Sequence, residues 1–86
     1  MYFKLLKKVN NHVKYILLNI CVFAFIYYLL GNENFNEINH PTDYLYLSII
    51  TQSSIGYGDI TPKSGLAKFF VSIQGLTTLI HIILLL

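Results

Sequence analysis

Cys21 is the only cysteine of this chain, so no intrachain disulfide can form, and no Cys/His cluster has zinc-site spacing. Charge is scarce as well: 12% of residues are charged, where soluble domains carry roughly 25%. A soluble domain of 86 residues is marginal without staples, and the staples are missing. A phosphate-binding loop is absent. Ser53 and Ser54 have His40 and Asp43 near them in sequence but no nucleophile elbow or ordered triad, so nothing reads as an enzyme. The lysines are too few and too close to apolar runs for nucleic-acid binding. What remains is a chain that is 55% hydrophobic, and that composition reads as a single-domain membrane protein.

The few charges are sorted. Lys4, Lys7, Lys8 and Lys14 precede or begin the first apolar run, Val13 to Leu30. Glu33, Glu37, Asp43 and Asp59 all lie between that run and the second, Phe69 to Leu86. Each run has eighteen residues, which as a helix spans about 27 Å, close to the hydrocarbon thickness. Basic residues stay on the cytosolic side, so both termini are expected there and the acidic middle on the opposite side. A signal peptide shares the basic start, but no small-x-small cleavage site follows, so the first run reads as an uncleaved anchor. Residues 1–12 form a cytosolic segment, and its Tyr2, Phe3, Leu5 and Leu6 suit the membrane interface.

Residues 31–41 are polar and read as an extracellular loop. Residues 42–53 follow, too short to cross a bilayer and too apolar for water, with Thr42 or Asp43 placed to cap a short re-entrant helix. Ser54-Ile55-Gly56-Tyr57-Gly58-Asp59 comes next. Gly56 and Gly58 reach backbone angles closed to residues with a Cβ, so alternate carbonyls can turn to one side. Four such strands around an axis would stack oxygen rings able to replace the water around a bare monovalent cation. Irregular backbone at membrane depth is tolerated where it lines a water-filled path or is buried in protein. The second span is expected over 66–86.

Residues 42 to 62 resemble the pore helix and filter of potassium channels, whose signature is Thr-Val-Gly-Tyr-Gly-Asp. The two-span layout is similar to the miniature potassium channels of large algal viruses. The resemblance implies an all-α membrane protein with two transmembrane helices, a re-entrant pore helix and a selectivity-filter loop, assembled as a homotetramer in a lipid bilayer. It implies a virion internal membrane or a host plasma membrane as the location. It implies no cofactor beyond permeant K+ and no small-molecule substrate. K+ would be held by the carbonyls of Ser54, Ile55, Gly56 and Tyr57, the Ser54 hydroxyl closing the innermost site and Gly58 supporting the outer mouth. Ser54 replaces threonine and Ile55 replaces valine. Ile50 stands where some relatives place a glutamate that bonds behind the filter, and no tryptophan is present to form an aromatic cuff.

Tyr57 is expected to point away from the axis and pack against the pore helix. Asp59 either concentrates cations at the outer mouth or hydrogen-bonds behind the filter. Gln74, Thr78 and His81 step by four and three along the second span and share one face, with Thr77 beside it. Polar residues inside a span face the bundle interior or a water-filled cavity, so this stripe is expected to line the inner pore, with helix–helix hydrogen bonding as the alternative. Gly75 is read as a close-packing position, Asn19 as an interhelical hydrogen-bonding residue and Cys21 as a small buried thiol. Two other readings account for the two spans: a permeabilising hairpin that makes unselective lesions, and a non-conducting subunit of another channel. The first has no use for Gly56-Tyr57-Gly58, and the second is separated by whether the purified chain alone carries current.

Overall fold

The computed structural model describes residues 2–85. No proline or glycine interrupts the chain before Gly31, and α1 accordingly runs unbroken over Tyr2–Leu30. The helix thus continues through both the expected cytosolic segment, residues 1–12, and the expected span, residues 13–30, from Tyr2 onward. At 29 residues α1 is about 44 Å long and outreaches the roughly 30 Å hydrocarbon layer. Gly31 ends it at φ 88° and ψ 163°, a conformation essentially limited to glycine. Asn34 Nδ2 then donates to the orphan Leu30 carbonyl at 2.6 Å.

The loop that follows is more ordered than its composition foretells. After a 3-10 turn at Asn32–Asn34, β1 (Phe35–Asn36) pairs antiparallel with β2 (Thr61–Pro62). Phe35 lies opposite Pro62 and Asn36 opposite Thr61. Thus the loop is tied to the segment just beyond the glycine motif, and Lys63 N–H adds a 2.7 Å bond to the Asn34 carbonyl. α2 covers Thr42–Gln52. Its capping differs from expectation: Asp43 Oδ2 reaches backward to accept from the N–H groups of Asn39 (2.8 Å) and His40 (3.0 Å). α3 covers Gly65–Leu85, with Ser64 Oγ accepting from Ala67 N–H at 3.1 Å as its cap. Leu86, the last residue of the expected second span, lies outside the described residues.

The core is where the three helices and β1 meet. Phe23 and Tyr27 of α1, Phe35 of β1, Tyr44, Leu47 and Ile50 of α2, Ile60 just before β2, and Ala67 of α3 are buried. Phe35 sits edge-on between Tyr27 (5.5 Å) and Tyr44 (6.0 Å), the favoured aromatic geometry. The outward faces of α1 and α3 are apolar and exposed, with Leu17, Leu18 and Phe25 on one and Leu76, Leu79 and Ile83 on the other. Both helices are long and apolar enough to cross a membrane, and such faces call for lipid or neighbouring copies as cover.

Candidate functional site

The glycine motif begins as the end of α2. Ser53 closes the helix, Ser54 N–H bonds to the Thr51 carbonyl (3.2 Å) and Ile55 N–H to the Ile50 carbonyl (3.0 Å). That pair of bonds is a Schellman motif, which requires a left-handed residue between them. Ser54 fills that position at φ 63°, where glycine is the usual occupant. Gly56 N–H also bonds to the Ile50 carbonyl, at 3.1 Å. Gly56 (φ 53°) and Gly58 (φ 83°) are left-handed too, while Ile55 and Tyr57 are not. Every second residue from 54 to 58 is therefore inverted. The sequence offered the two glycines but not Ser54; the missed signal was its place just past the helix cap.

This alternation sorts donors from acceptors. The N–H groups of residues 54–56 are held by the last turn of α2, whereas the carbonyls of residues 54–58 accept no hydrogen bond among the described residues. Residues 53–59 are all exposed in the single chain. A row of carbonyl oxygens without hydrogen-bond donors, on a strand tethered at its start by α2, has the chemistry of cation ligands. Tyr57 departs from expectation, being 68% exposed rather than packed on its own α2.

The outer end of the strand is anchored by Asp59. Its Oδ2 accepts from the Tyr46 hydroxyl at 2.7 Å, and that bond to a carboxylate pushes the phenol up to about 12. Ile50, where some relatives of the resembled family place a glutamate, is buried in the core. Tyr46 lies one turn earlier on the same helix, at i, i+4 spacing. Asp59, Tyr46, Asp43 and Glu37 line a recess of about 420 Å³ at the outer end.

The polar stripe of α3 lies elsewhere than a pore. Gln74 is fully buried and Thr78 nearly so, both facing α1 and α2. Gln74 Oε1 accepts from the Tyr27 hydroxyl (2.6 Å), and Gln74 Nε2 donates to the Ser48 carbonyl and hydroxyl (both 2.9 Å). Thr78 Oγ1 donates to the Gln52 carbonyl at 3.0 Å. Asn19 Nδ2 donates to Gln52 Oε1 (2.7 Å) and Thr77 Oγ1 (2.9 Å), the interhelical role expected of it. Polar groups in a low-dielectric interior take protein partners, and here they knit both spans to the last turn of α2. His81 also turns toward α1, edge-on to His12. In the single chain Gln74 and Thr78 are thus taken up by contacts with the other helices, and His81 is half-buried beside His12. Two smaller expectations also fall: Cys21 is exposed, and a Cβ at Gly75 would meet nothing within 4 Å, so no element of the chain packs closely there.

Residues 15–86 match the family model described as "Ion channel". The chain is 55% identical over 42 residues to Potassium channel K2 of Plasmodium falciparum, a match covering 48% of this chain and 3% of that protein. It is 39% identical over 64 residues to Two-pore potassium channel 2 of Arabidopsis thaliana, covering 72% of this chain and 14% of the relative. With Two-pore potassium channel 3 of the same plant it shares 46% identity over 46 residues, 52% of this chain and 11% of the relative. The chain therefore spans a seventh or less of the length of these relatives. No solved structure matches it. Two apolar helices, a tethered strand of free carbonyls and the family match over most of its length converge: the chain belongs to the ion channel family.

Proposed function

We propose that four copies of this chain assemble in a membrane as a potassium-selective channel, of the miniature kind the sequence resembles, with both chain ends on the cytosolic side. One observation carries the reading: residues 54–58 alternate in hand, with the donors of 54–56 held by α2 and the carbonyls of 54–58 accepting no hydrogen bond among the described residues. One chain supplies one strand, so an enclosed ring of oxygens requires several copies around an axis. The carbonyls of Ser54, Ile55, Gly56 and Tyr57 would form successive K+ sites, with the Ser54 hydroxyl at the inner end and Gly58 at the outer mouth. Several adjacent sites permit entry, and repulsion between neighbouring ions permits exit. Asp59, held by Tyr46, keeps the outer end of the strand in place. The relatives bear the names of potassium channels, which favours K+ over other cations. The exposed Tyr57 ring and the apolar faces of α1 and α3 supply surface for neighbouring copies and lipid. With the polar stripe turned inward, the inner conduction path falls to apolar α3 residues such as Leu79 and Ile82.

The test is the purified chain in a planar bilayer with K+ on one side and Na+ on the other. Reversal close to the K+ equilibrium potential is the expected result. Current reversing near zero would replace the reading with an unselective pore, and absence of current would replace it with a subunit that needs a partner.

A further inference from the structure

At the end of the bundle far from the glycine motif, α1 and α3 meet through two imidazoles. His12 and His81 stand with ring centres 6.2 Å apart and planes at 83°. Both rings are half-buried, and the Nδ1 atom of each is shielded from solvent with no hydrogen-bond partner. A buried polar nitrogen left unpaired is costly, so two such atoms on rings at one helix–helix contact call for partners. The conduction reading uses neither ring.

We propose that His12 and His81 form a two-imidazole site for a first-row transition metal ion, Zn2+ being the probe of choice, which clips α1 to α3. A zinc–imidazole bond is about 2.0–2.1 Å and a ring nitrogen lies about 1.2 Å from its ring centre, so one ion bridges centres up to about 6.5 Å apart. The observed 6.2 Å lies inside that reach at a wide angle, and a tetrahedral angle asks the ring centres to close to about 5.2 Å. The donor set selects the metal class. All four carboxylates, Glu33, Glu37, Asp43 and Asp59, sit between the spans at the opposite end, so hard ions such as Mg2+ and Ca2+ find no oxygen cage here. Water completes the coordination. Lys8, one turn before His12, is exposed and free to extend away.

Calorimetry of Zn2+ alone against the full chain in detergent tests the site. The expected result is one Zn2+ per chain, undisturbed by excess Mg2+. His12→Gln and His81→Gln should each weaken binding about tenfold or more, since losing even an outer-shell partner has effects of that size. Should a Gln variant fail to fold, Cys at the same position keeps a zinc ligand and must retain binding. Absence of Zn2+ binding to the native chain, binding unchanged in both Gln variants, or loss of binding in a folded Cys variant would each overturn the proposal.

Discussion

The Tyr46 hydroxyl donates a 2.7 Å hydrogen bond to Asp59 Oδ2, tying the middle of α2 to the residue that follows Gly58. It is a direct side-chain link between α2 and the outer end of the carbonyl strand, and its removal should loosen that end without unfolding the chain. Tyr46→Phe is expected to shorten channel openings while leaving assembly intact, read from single-channel records and gel mobility. The pH dependence has a defined sign. The phenol in the folded chain is raised to about 12, above its ordinary 10.0, so its stabilisation is complete below 10 and is lost as pH rises from there through about 12. Tyr46→Phe should remove that alkaline component from a melting-versus-pH series.

Asp43 makes the opposite case at the acid end. The N–H groups of Asn39 and His40 favour its charged form and hold its carboxyl below the usual carboxylate range. A depressed value contributes stability above the ordinary carboxylate pKa, about 4, and loses it as pH falls from there through the lowered value. Acid should therefore free the turn before α2, seen as faster amide exchange at Asn39 and His40. Asp43→Asn should show that exchange already at neutral pH, with no further acid step.

Gly56→Ala separates folding from conduction. A Cβ at Gly56 would meet nothing within 4 Å in the chain, so the penalty is the left-handed backbone at φ 53°, about 1–2 kcal/mol for a residue with a Cβ. Helix content and assembly should survive that penalty. Current should not, because an Ala that relaxes its φ turns its carbonyl out of line. A variant conducting K+ as well as the native chain would remove the carbonyl strand from the mechanism.

Much of this was legible in the sequence, for a physical reason: the signals were long or unusual. Two apolar runs and a glycine pair around Tyr57 leave few alternatives, and the end of α1, the start of α3 and the exit from α2 fall within a few residues of their expected places. The unbroken α1 was missed because charge and apolarity mark the membrane boundary, not the helix end, which waits for Gly31. Spacing places Gln74, Thr78 and His81 together but does not say what they meet within the chain. Their partners, Tyr27, Ser48, Gln52 and His12, lie 22 to 69 positions away and are brought near by the tertiary fold. The hydrogen bond of Asp59 was expected as one of two roles, but its donor, Tyr46, was not named because it lies 13 positions away.

The buried network around Gln74 gives the most discriminating prediction, because it sets two roles for one residue against each other. A pore-lining Gln replaced by Leu would change conductance and leave the fold alone. As placed here, fully buried, Gln74 accepts from Tyr27 and donates to Ser48 and Gln52, the last at 3.2 Å. Gln74→Leu strands the Tyr27 hydroxyl and Ser48 carbonyl, so it should lower stability by about 1–2 kcal/mol, the scale of buried hydrogen bonds in membrane helices. Gln74→Glu keeps the shape but buries a charge or forces its protonation, and should destabilise more. Thr78→Val, which leaves Gln74 in place and removes one donor to the Gln52 carbonyl, should destabilise least. Denaturant titration of the detergent-solubilised assembly should rank them Glu, Leu, Val. A Gln74→Leu variant with native stability but altered conductance would return Gln74 to the conduction path.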